Sequence, residues 1–152
     1  MVNEILEARA ALQIQKPVHE VFEAIVDPAK MSRYFISKSS GRMEEGKRLT
    51  WKYPEYDTEF IIQVGKIKRD KYVSWSHWDA DGREFLNEIN LSPGYGDSTI
   101  VKINAKGWEN SEAGVKWLIG NTEGWAYFLA CLKAYLEYGI NLRKGAFDYR
   151  KH

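Results

Sequence analysis

One long helix, predicted near the end of the chain, constrains the fold more than any other feature of the sequence. Residues 117–142 read WLIGNTEGWAYFLACLKAYLEYGINL. On a helical wheel, large apolar side chains collect on one broad face, and charged or amide side chains lie opposite. A helix of this kind must pack against a large apolar surface elsewhere in the chain. The apolar face consists of Trp125, Phe128, Leu129, Leu132, Tyr135, Leu136 and Ile140.

The preceding part of the chain can supply that surface, because its hydrophobic pattern has the two-residue period of β-strands. The alternation is present in residues 5–14 and returns in several segments between about residue 39 and Gly107. Asp81-Gly82 favours a tight hairpin turn, and the sequence PGYGD at 93–97 favours another. We count about seven strands and expect an antiparallel sheet.

Two short helices are predicted after the first strand. Pro17 suits the first turn of a helix, and the apolar residues that follow it recur at helical spacing. Asp27-Pro28 ends this helix, and Pro28 is well placed to start a second helical turn over residues 29–34.

A break is predicted within the C-terminal helical region. A short helical segment is expected from Ser111 to Ile119, followed by an interruption at 120–122, where Asn121 or Thr122 can cap the long helix. Gly145 is expected to end that helix. The chain, residues 1–152, is thus predicted to form a single α+β domain in which a curved antiparallel sheet grips a long C-terminal helix.

Composition excludes several classes of function. The 22 Lys and Arg residues balance 21 Asp and Glu residues, and the net charge of +1 argues against a nucleic-acid partner. The apolar runs are much shorter than the roughly 20 residues of a membrane span. Cys131 is the sole cysteine and cannot form an internal disulfide, and the first residues lack a secretory signal pattern, so a cytoplasmic location is expected.

Motifs for catalysis, metals and cofactors are incomplete. His19-Glu20 begins like the zinc motif HExxH, but Glu23 stands where the second histidine belongs. The sequence DADG at 79–82 lacks the later residues of a calcium loop, and the glycines at 94 and 96 lack the setting of a dinucleotide site. We therefore predict no metal, no cofactor and no catalytic residue, and lean against an enzyme.

Three polar residues fall where a ligand could meet them. Strand alternation places His77 on the same face as Trp75, and Asn87 among the inward apolar residues of its strand. His77 could serve as a general acid or base, and Asn87 could orient a ligand, but ordinary hydrogen bonds explain both more simply. Arg143 could meet a ligand carboxylate at the end of the apolar helix face; we favour an interaction with the helix dipole and water.

The element order and two segments resemble the START-like or helix-grip superfamily (SRPBCC), which includes polyketide-cyclase and birch-pollen-allergen relatives. The segments are PVHEVFEAIVDPAKMSRYF and GWAYFLACLKAYLEYG. The resemblance is closest to proteins similar to the C-terminal domain of the activator of the large heat-shock chaperone ATPase, and it covers residues 5–143. Such families usually carry a tryptophan after Asp27-Pro28, where this chain has Tyr34-Phe35. The matching positions are Pro17, Val21, Asp27-Pro28, Gly124-Trp125, Leu132 and Leu136.

The resemblance implies a cavity between the sheet and the long helix, which relatives use for apolar or amphipathic small molecules. We therefore expect a noncatalytic protein that binds such a molecule. A chaperone-associated interaction module is the alternative, and a cyclase or hydratase that uses His77 is a third hypothesis. The expected ligand contacts are Trp51, Trp75, His77, Asn87, Trp125, Phe128, Leu132 and Tyr135.

Overall fold

Seven antiparallel strands build one sheet in the part of the chain, residues 4–151, that the computed structural model describes. The strands are β1 (Ile5–Ile14), β2 (Lys38–Ser39), β3 (Arg48–Lys52), β4 (Glu59–Lys68), β5 (Tyr72–Trp78), β6 (Glu84–Pro93) and β7 (Thr99–Glu109). The α-helices are α1 (Val18–Val26), α2 (Pro28–Met31) and α3 (Glu112–Tyr138), and a short 3-10 helix spans Asp148–Arg150. The predicted α+β class, the number of strands, the two short helices after the first strand and the long C-terminal helix are confirmed. Residues 1–3 and 152 of the predicted single domain lie outside the described residues.

The order of the strands and two irregularities in their register describe the shape of the sheet. The order is β1-β7-β6-β5-β4-β3-β2, so β2 to β7 form a meander and β1 pairs with β7 at one edge. The register shifts between Ile5 and Glu7 of β1, and between Val64 and Ile67 of β4. Such bulges bend a strand and increase its twist. The resulting curved sheet presents one apolar face to α3.

Alternating side chains on the strands form most of the buried core, and the middle of α3 supplies the rest. Burial of these residues is the main stabilising term of the fold, because each large side chain removed from water contributes about 1.5–3 kcal/mol. The buried apolar residues of the strands include Leu49, Trp51, Ile62, Val64, Val73, Trp75, Ile89, Val101, Ile103 and Ala105. From α3 come Trp125, Phe128, Leu129, Cys131 and Leu132.

Helix α3 is continuous from Glu112 to Tyr138, so the interruption predicted at 120–122 is wrong. Ser111 caps it, with its hydroxyl accepting from the Gly114 amide at 3.0 Å. Packing of the apolar face against the sheet overrides the local preference of Gly120, Asn121 and Thr122 for a break.

The predicted end of the helix at Gly145 is also wrong. Gly139, at φ 66°, is the C-terminal cap, a left-handed conformation that glycine adopts without steric cost. Ile140 therefore lies beyond the helix and is 53% exposed, and Arg143 does not occupy the last helical turn.

The two short helices set the position of two aromatic rings. The Asp27 carboxylate accepts from the Ala29 amide at 2.9 Å and caps α2, which begins at Pro28. The second helix ends at Met31, earlier than predicted, and Tyr34 and Phe35 follow it into the core. The Tyr34 hydroxyl donates to the Ala24 carbonyl at 2.7 Å, which fixes this loop against α1.

No helix within residues 4–151 has both the length and the hydropathy to cross a membrane.

Candidate functional site

The aromatic rings of α3 meet the rings of the sheet directly. The centroids of Trp75 and Trp125 are 5.9 Å apart in an edge-on arrangement, and those of Trp51 and Trp75 are 5.8 Å apart. Phe128 lies 5.4 Å from Trp125. Leu132 is fully buried and Tyr135 is partly buried against the same core. The structure thus brings most of the expected ligand contacts together as core packing.

His77 and Asn87 form a polar pair beside this core, in which Asn87 is buried and His77 is partly buried. Asn87 Nδ2 lies 2.9 Å from His77 Nδ1 and 3.3 Å from the Trp75 carbonyl oxygen, to which it donates. The imidazole stacks on Phe85 at 5.1 Å. Burial lowers the pKa of His77, although the Asp79 carboxylate raises it in part, so the neutral form is favoured. A neutral ring can accept the Asn87 hydrogen bond at Nδ1.

An open cleft lies at one end of the ring cluster. Its volume is about 290 Å³, and four parts of the chain enclose it: the loop after α2, the loop after β3, α3 from Gly120 to Tyr127, and the segment after α3. We call it the α3 cleft. Six aromatic residues line it, namely Phe35, Tyr53, Tyr56, Trp125, Tyr127 and Phe147.

Contacts among these rings give the cleft its shape. Tyr127 meets Phe147 edge-on at 5.2 Å, and its hydroxyl donates to the Leu142 carbonyl at 3.0 Å. On the opposite side Tyr53 packs on Phe35 at 5.6 Å. Burial raises the pKa of Tyr53 to about 12, although the charge of nearby Arg143 lowers this pKa in part. The phenol therefore stays protonated near neutral pH and can donate a hydrogen bond. These rings therefore form the apolar part of the cleft wall.

Arg143 forms an ion pair with Glu55. Its Nη2 donates to Glu55 Oε1 at 2.5 Å and its Nε to Glu55 Oε2 at 3.2 Å. The guanidinium also lies over Tyr53 at 5.1 Å and over Phe147 at 5.0 Å. Two interpretations of Arg143 from the sequence are therefore corrected. Arg143 lies beyond the last turn of α3, so it does not interact with the helix dipole there, and its guanidinium binds the Glu55 carboxylate and not that of a ligand.

Two polar groups of the cleft have no hydrogen-bond partner among the described residues: Asn121 Oδ1 and Trp125 Nε1. Asn121 and Trp125 are four residues apart and thus neighbours on one side of the helix. One is an acceptor and the other a donor. A buried polar group without a partner is destabilising. Trp51 Nε1 and Asn87 Oδ1 in the core also lack a partner among the described residues, so this state is not specific to the cleft. Charged side chains of Glu123 and Arg150 stand at the cleft as well.

Of the eight expected ligand contacts, only Trp125 lines the α3 cleft. The sequence reasoning missed Tyr53, Tyr56, Tyr127 and Phe147. A signal existed in the aromatic residues of WKYPEY and AFDY, but their convergence depends on chain segments far apart in sequence. Within residues 4–151 no group of three or more His, Cys, Asp or Glu side chains is arranged to hold a metal ion.

Comparisons with known proteins agree with this architecture. The model of the family described as Activator of Hsp90 ATPase homolog 1-like protein matches residues 15–137. A search of curated proteins gave no match.

Several solved structures are similar to this chain. A crystal structure of a Staphylococcus saprophyticus protein is 34% identical, with a TM-score of 0.79 over 91% of this chain and 96% of that one. The solution structure of the Aha1 dimer from Colwellia psychrerythraea is 19% identical, with a TM-score of 0.72 over 88% of this chain and 98% of that one. DynU16, from the dynemicin biosynthetic locus, is 22% identical, with a TM-score of 0.77 over 88% of this chain and 48% of that one. The last two similarities show the fold alone.

Proposed function

The chain belongs to the Activator of Hsp90 ATPase homolog 1-like family, and on that premise we propose that it holds a small amphipathic molecule in the α3 cleft. One observation carries the proposal: six aromatic residues line an open cleft of about 290 Å³. Ligand sites are concave and mostly apolar, with a few placed polar groups. A volume near the lower end of the usual range suits a ligand of one or two rings.

In this proposal Trp125 is the direct ligand contact among the eight residues expected from the sequence. Trp75 and Phe128 contact its ring and hold its orientation, and Trp51 supports Trp75 in turn. Leu132 and Tyr135 pack in the same core, and the His77–Asn87 pair lies beside that core and not at the ligand.

Binding is favoured over catalysis by the position of His77. Its Nδ1 faces Asn87, and it is not among the described residues that line the α3 cleft. His77, the residue on which the cyclase or hydratase hypothesis depends, therefore does not lie where the ligand is proposed to lie.

Titration with a panel of small lipids, phenols and flavonoids tests the proposal, with intrinsic tryptophan fluorescence and thermal unfolding as readouts. Tyr56→Ser removes an aromatic wall and should weaken binding several-fold. Tyr95→Ser is the matched control, because Tyr95 is 96% exposed and does not line the cleft. The proposal is wrong if no compound changes either signal, or if both variants bind as the wild type does.

A second candidate function is that of a chaperone-associated module, favoured by the family match over residues 15–137. The family takes its description from an activator of the Hsp90 ATPase, and the outer surface would then contact the chaperone. Both candidates assume the cytoplasmic location expected from the sequence. A pull-down with the heat-shock chaperone of the host and an assay of its ATPase test this candidate; no binding and no stimulation would remove it.

A further inference from the structure

Three charged side chains line the α3 cleft: Glu123, Arg143 and Arg150. The charge of Arg143 is offset within the protein, because its guanidinium binds the Glu55 carboxylate. Arg150 is exposed, and it forms no ion pair with any carboxylate of residues 4–151. The described part of the chain thus leaves the positive charge of Arg150 available to a ligand in the cleft.

Two aromatic rings hold the guanidinium of Arg150 in place. It lies 4.3 Å from the centroid of Phe147 and 5.5 Å from that of Tyr149. Phe147 itself lines the cleft. An arginine that stacks on rings keeps its planar fork of N–H donors in a fixed orientation, so less conformational freedom is lost when it binds a ligand.

A second cation contacts the same ring. The guanidinium of Arg143 lies over Phe147 at 5.0 Å, so two positive groups stand against one aromatic side chain. Glu55 offsets only one of these charges. The wall of the cleft around Phe147 therefore carries an excess of positive charge, which attracts an anion.

The acidic side chains nearest to Arg150 in the sequence and in the cleft leave this attraction in place. Asp148 pairs with Lys151 at 3.2 Å. Glu123 belongs to α3, which forms a different wall of the cleft from the segment that carries Arg150. Because like charges repel, Glu123 disfavours an anion at its own side and directs it toward Arg150.

We propose that the α3 cleft takes an amphipathic carboxylate, with the apolar body among the aromatic rings and the carboxylate accepting hydrogen bonds from Arg150. A guanidinium matches a carboxylate in shape, since two parallel N–H groups can donate to the two oxygens. Arg150 is then the residue that selects anionic ligands over neutral and cationic ligands of the same shape. This inference rests on the proposed function, because it names the ligand class of the α3 cleft.

Two ligands of nearly the same shape test the inference on the full chain: 2-naphthoate, which is an anion at neutral pH, and 2-naphthamide, which is uncharged. Isothermal titration calorimetry at low salt gives both affinities. We expect 2-naphthoate to bind at least about tenfold more tightly. Equal affinities overturn the inference and leave the proposed function standing, whereas no binding of either compound overturns both. Tighter binding of the cation 2-naphthylmethylammonium would also overturn the inference, since it would assign the polar contact to Glu123.

Variants separate Arg150 from the general charge of the protein. Arg150→Gln should lower the affinity for 2-naphthoate by at least about fivefold and change that for 2-naphthamide by less than about twofold. Arg150→Lys keeps the charge without the planar fork and should lose less. Lys151→Gln is the matched control, because Lys151 carries the same charge on the same segment and does not line the cleft.

Binding of 2-naphthamide shows in each variant that the cleft is still folded. The Nε–H signal of Arg150 in NMR spectra should shift when 2-naphthoate is added to the wild type. Equal losses of 2-naphthoate affinity in Arg150→Gln and Lys151→Gln, or an Arg150 signal that does not move, would overturn the inference.

Discussion

The guanidinium of Arg143 is bound to the carboxylate of Glu55, 88 residues earlier in the chain. The side chains are only 12% and 4% exposed, and the pair joins the segment after α3 to the loop after β3. Removing one member leaves a buried charge without a partner, which is strongly destabilising. The pair thus holds together two of the four parts of the chain that line the α3 cleft.

Replacement of Arg143 by methionine should lower the free energy of unfolding by about 3 kcal/mol, since the Glu55 carboxylate remains buried without its partner. Urea unfolding measures the change. Arg9→Met is the control, because Arg9 pairs with Glu7 at the surface with its own side chain 78% exposed, and surface pairs contribute about 1 kcal/mol or less. Equal losses in the two variants would contradict the prediction.

Restoring charge balance should recover part of that loss. The double variant Glu55→Gln with Arg143→Met retains no buried charge at this place, so it should be more stable than Arg143→Met alone. The same urea experiment decides, and a double variant less stable than the single variant would show that the carboxylate is not the source of the loss.

The stability of the domain should depend on His77 at mildly acidic pH. Burial lowers the pKa of His77 in the folded chain, so below about pH 6.5 the unfolded chain binds more protons at this position. The contribution of the neutral ring is therefore present above about pH 6.5 and is lost as the pH falls further.

The His77→Gln variant tests this dependence. Its free energy of unfolding should change less between about pH 7.5 and about pH 5.5 than that of the wild type. A pH profile of His77→Gln that coincides with the wild type would count against the prediction.

Gly124→Ala should stabilise the protein, because it replaces a helix-interior glycine at a position with free space. We expect a gain of about 1 kcal/mol, which raises the melting temperature by roughly 2–4 °C in a domain of this size. Gly114→Ala should have the opposite effect, since the added Cβ would overlap the Glu109 carbonyl oxygen. Thermal unfolding followed by circular dichroism compares the two, and a lower melting temperature for Gly124→Ala would refute the expectation.

Tyr34→Phe should cost about 1–2 kcal/mol of unfolding free energy, the usual range for a buried hydrogen bond whose partner is left unpaired. Tyr34 is buried, and burial raises its pKa well above the ordinary value, so its hydroxyl stays protonated and donates to the Ala24 carbonyl. The ring contacts with Phe128 and Tyr135 survive the change. Tyr149→Phe, at a position 74% exposed, should be nearly neutral in urea unfolding. A neutral Tyr34→Phe would contradict the role assigned to this bond.

Most of the fold was predictable because the sheet is made of local patterns. In each strand of the meander, the alternation of apolar and polar residues indicates which side chains face inward. The Asp81-Gly82 turn joins β5 to β6, which are consecutive in the sequence and paired in the sheet. The continuity of α3 was not predictable from Gly120-Asn121-Thr122, since their local preference for a break is outweighed by burial of Trp125, Phe128 and Leu132 against distant strands.

The candidate site was predictable only in part for a similar reason. Strand parity predicted that His77 and Asn87 each lie on the inward face of their strand, but it did not predict that their side chains meet at 2.9 Å. The pairing of Arg143 with Glu55 leaves no trace in local spacing, because it depends on where the chain turns after α3. The same turn brings Phe147 to Tyr127 and so creates the cleft.

The position of β1 has a consequence for how the chain reaches this structure. Its strand neighbour is β7, so Ala8 pairs with Ala105 and Leu12 with Val101. All the other strands lie between these partners in the sequence. A chain synthesised from its N-terminus must keep β1 unpaired until Thr99–Glu109 is available. Such long-range pairings slow folding, and unpaired strand edges promote aggregation. The meander can form early from local hairpins, whereas β1 pairs with β7 late. Until that pairing forms, the edge of β7 stays open, and the surface on which α3 packs is incomplete.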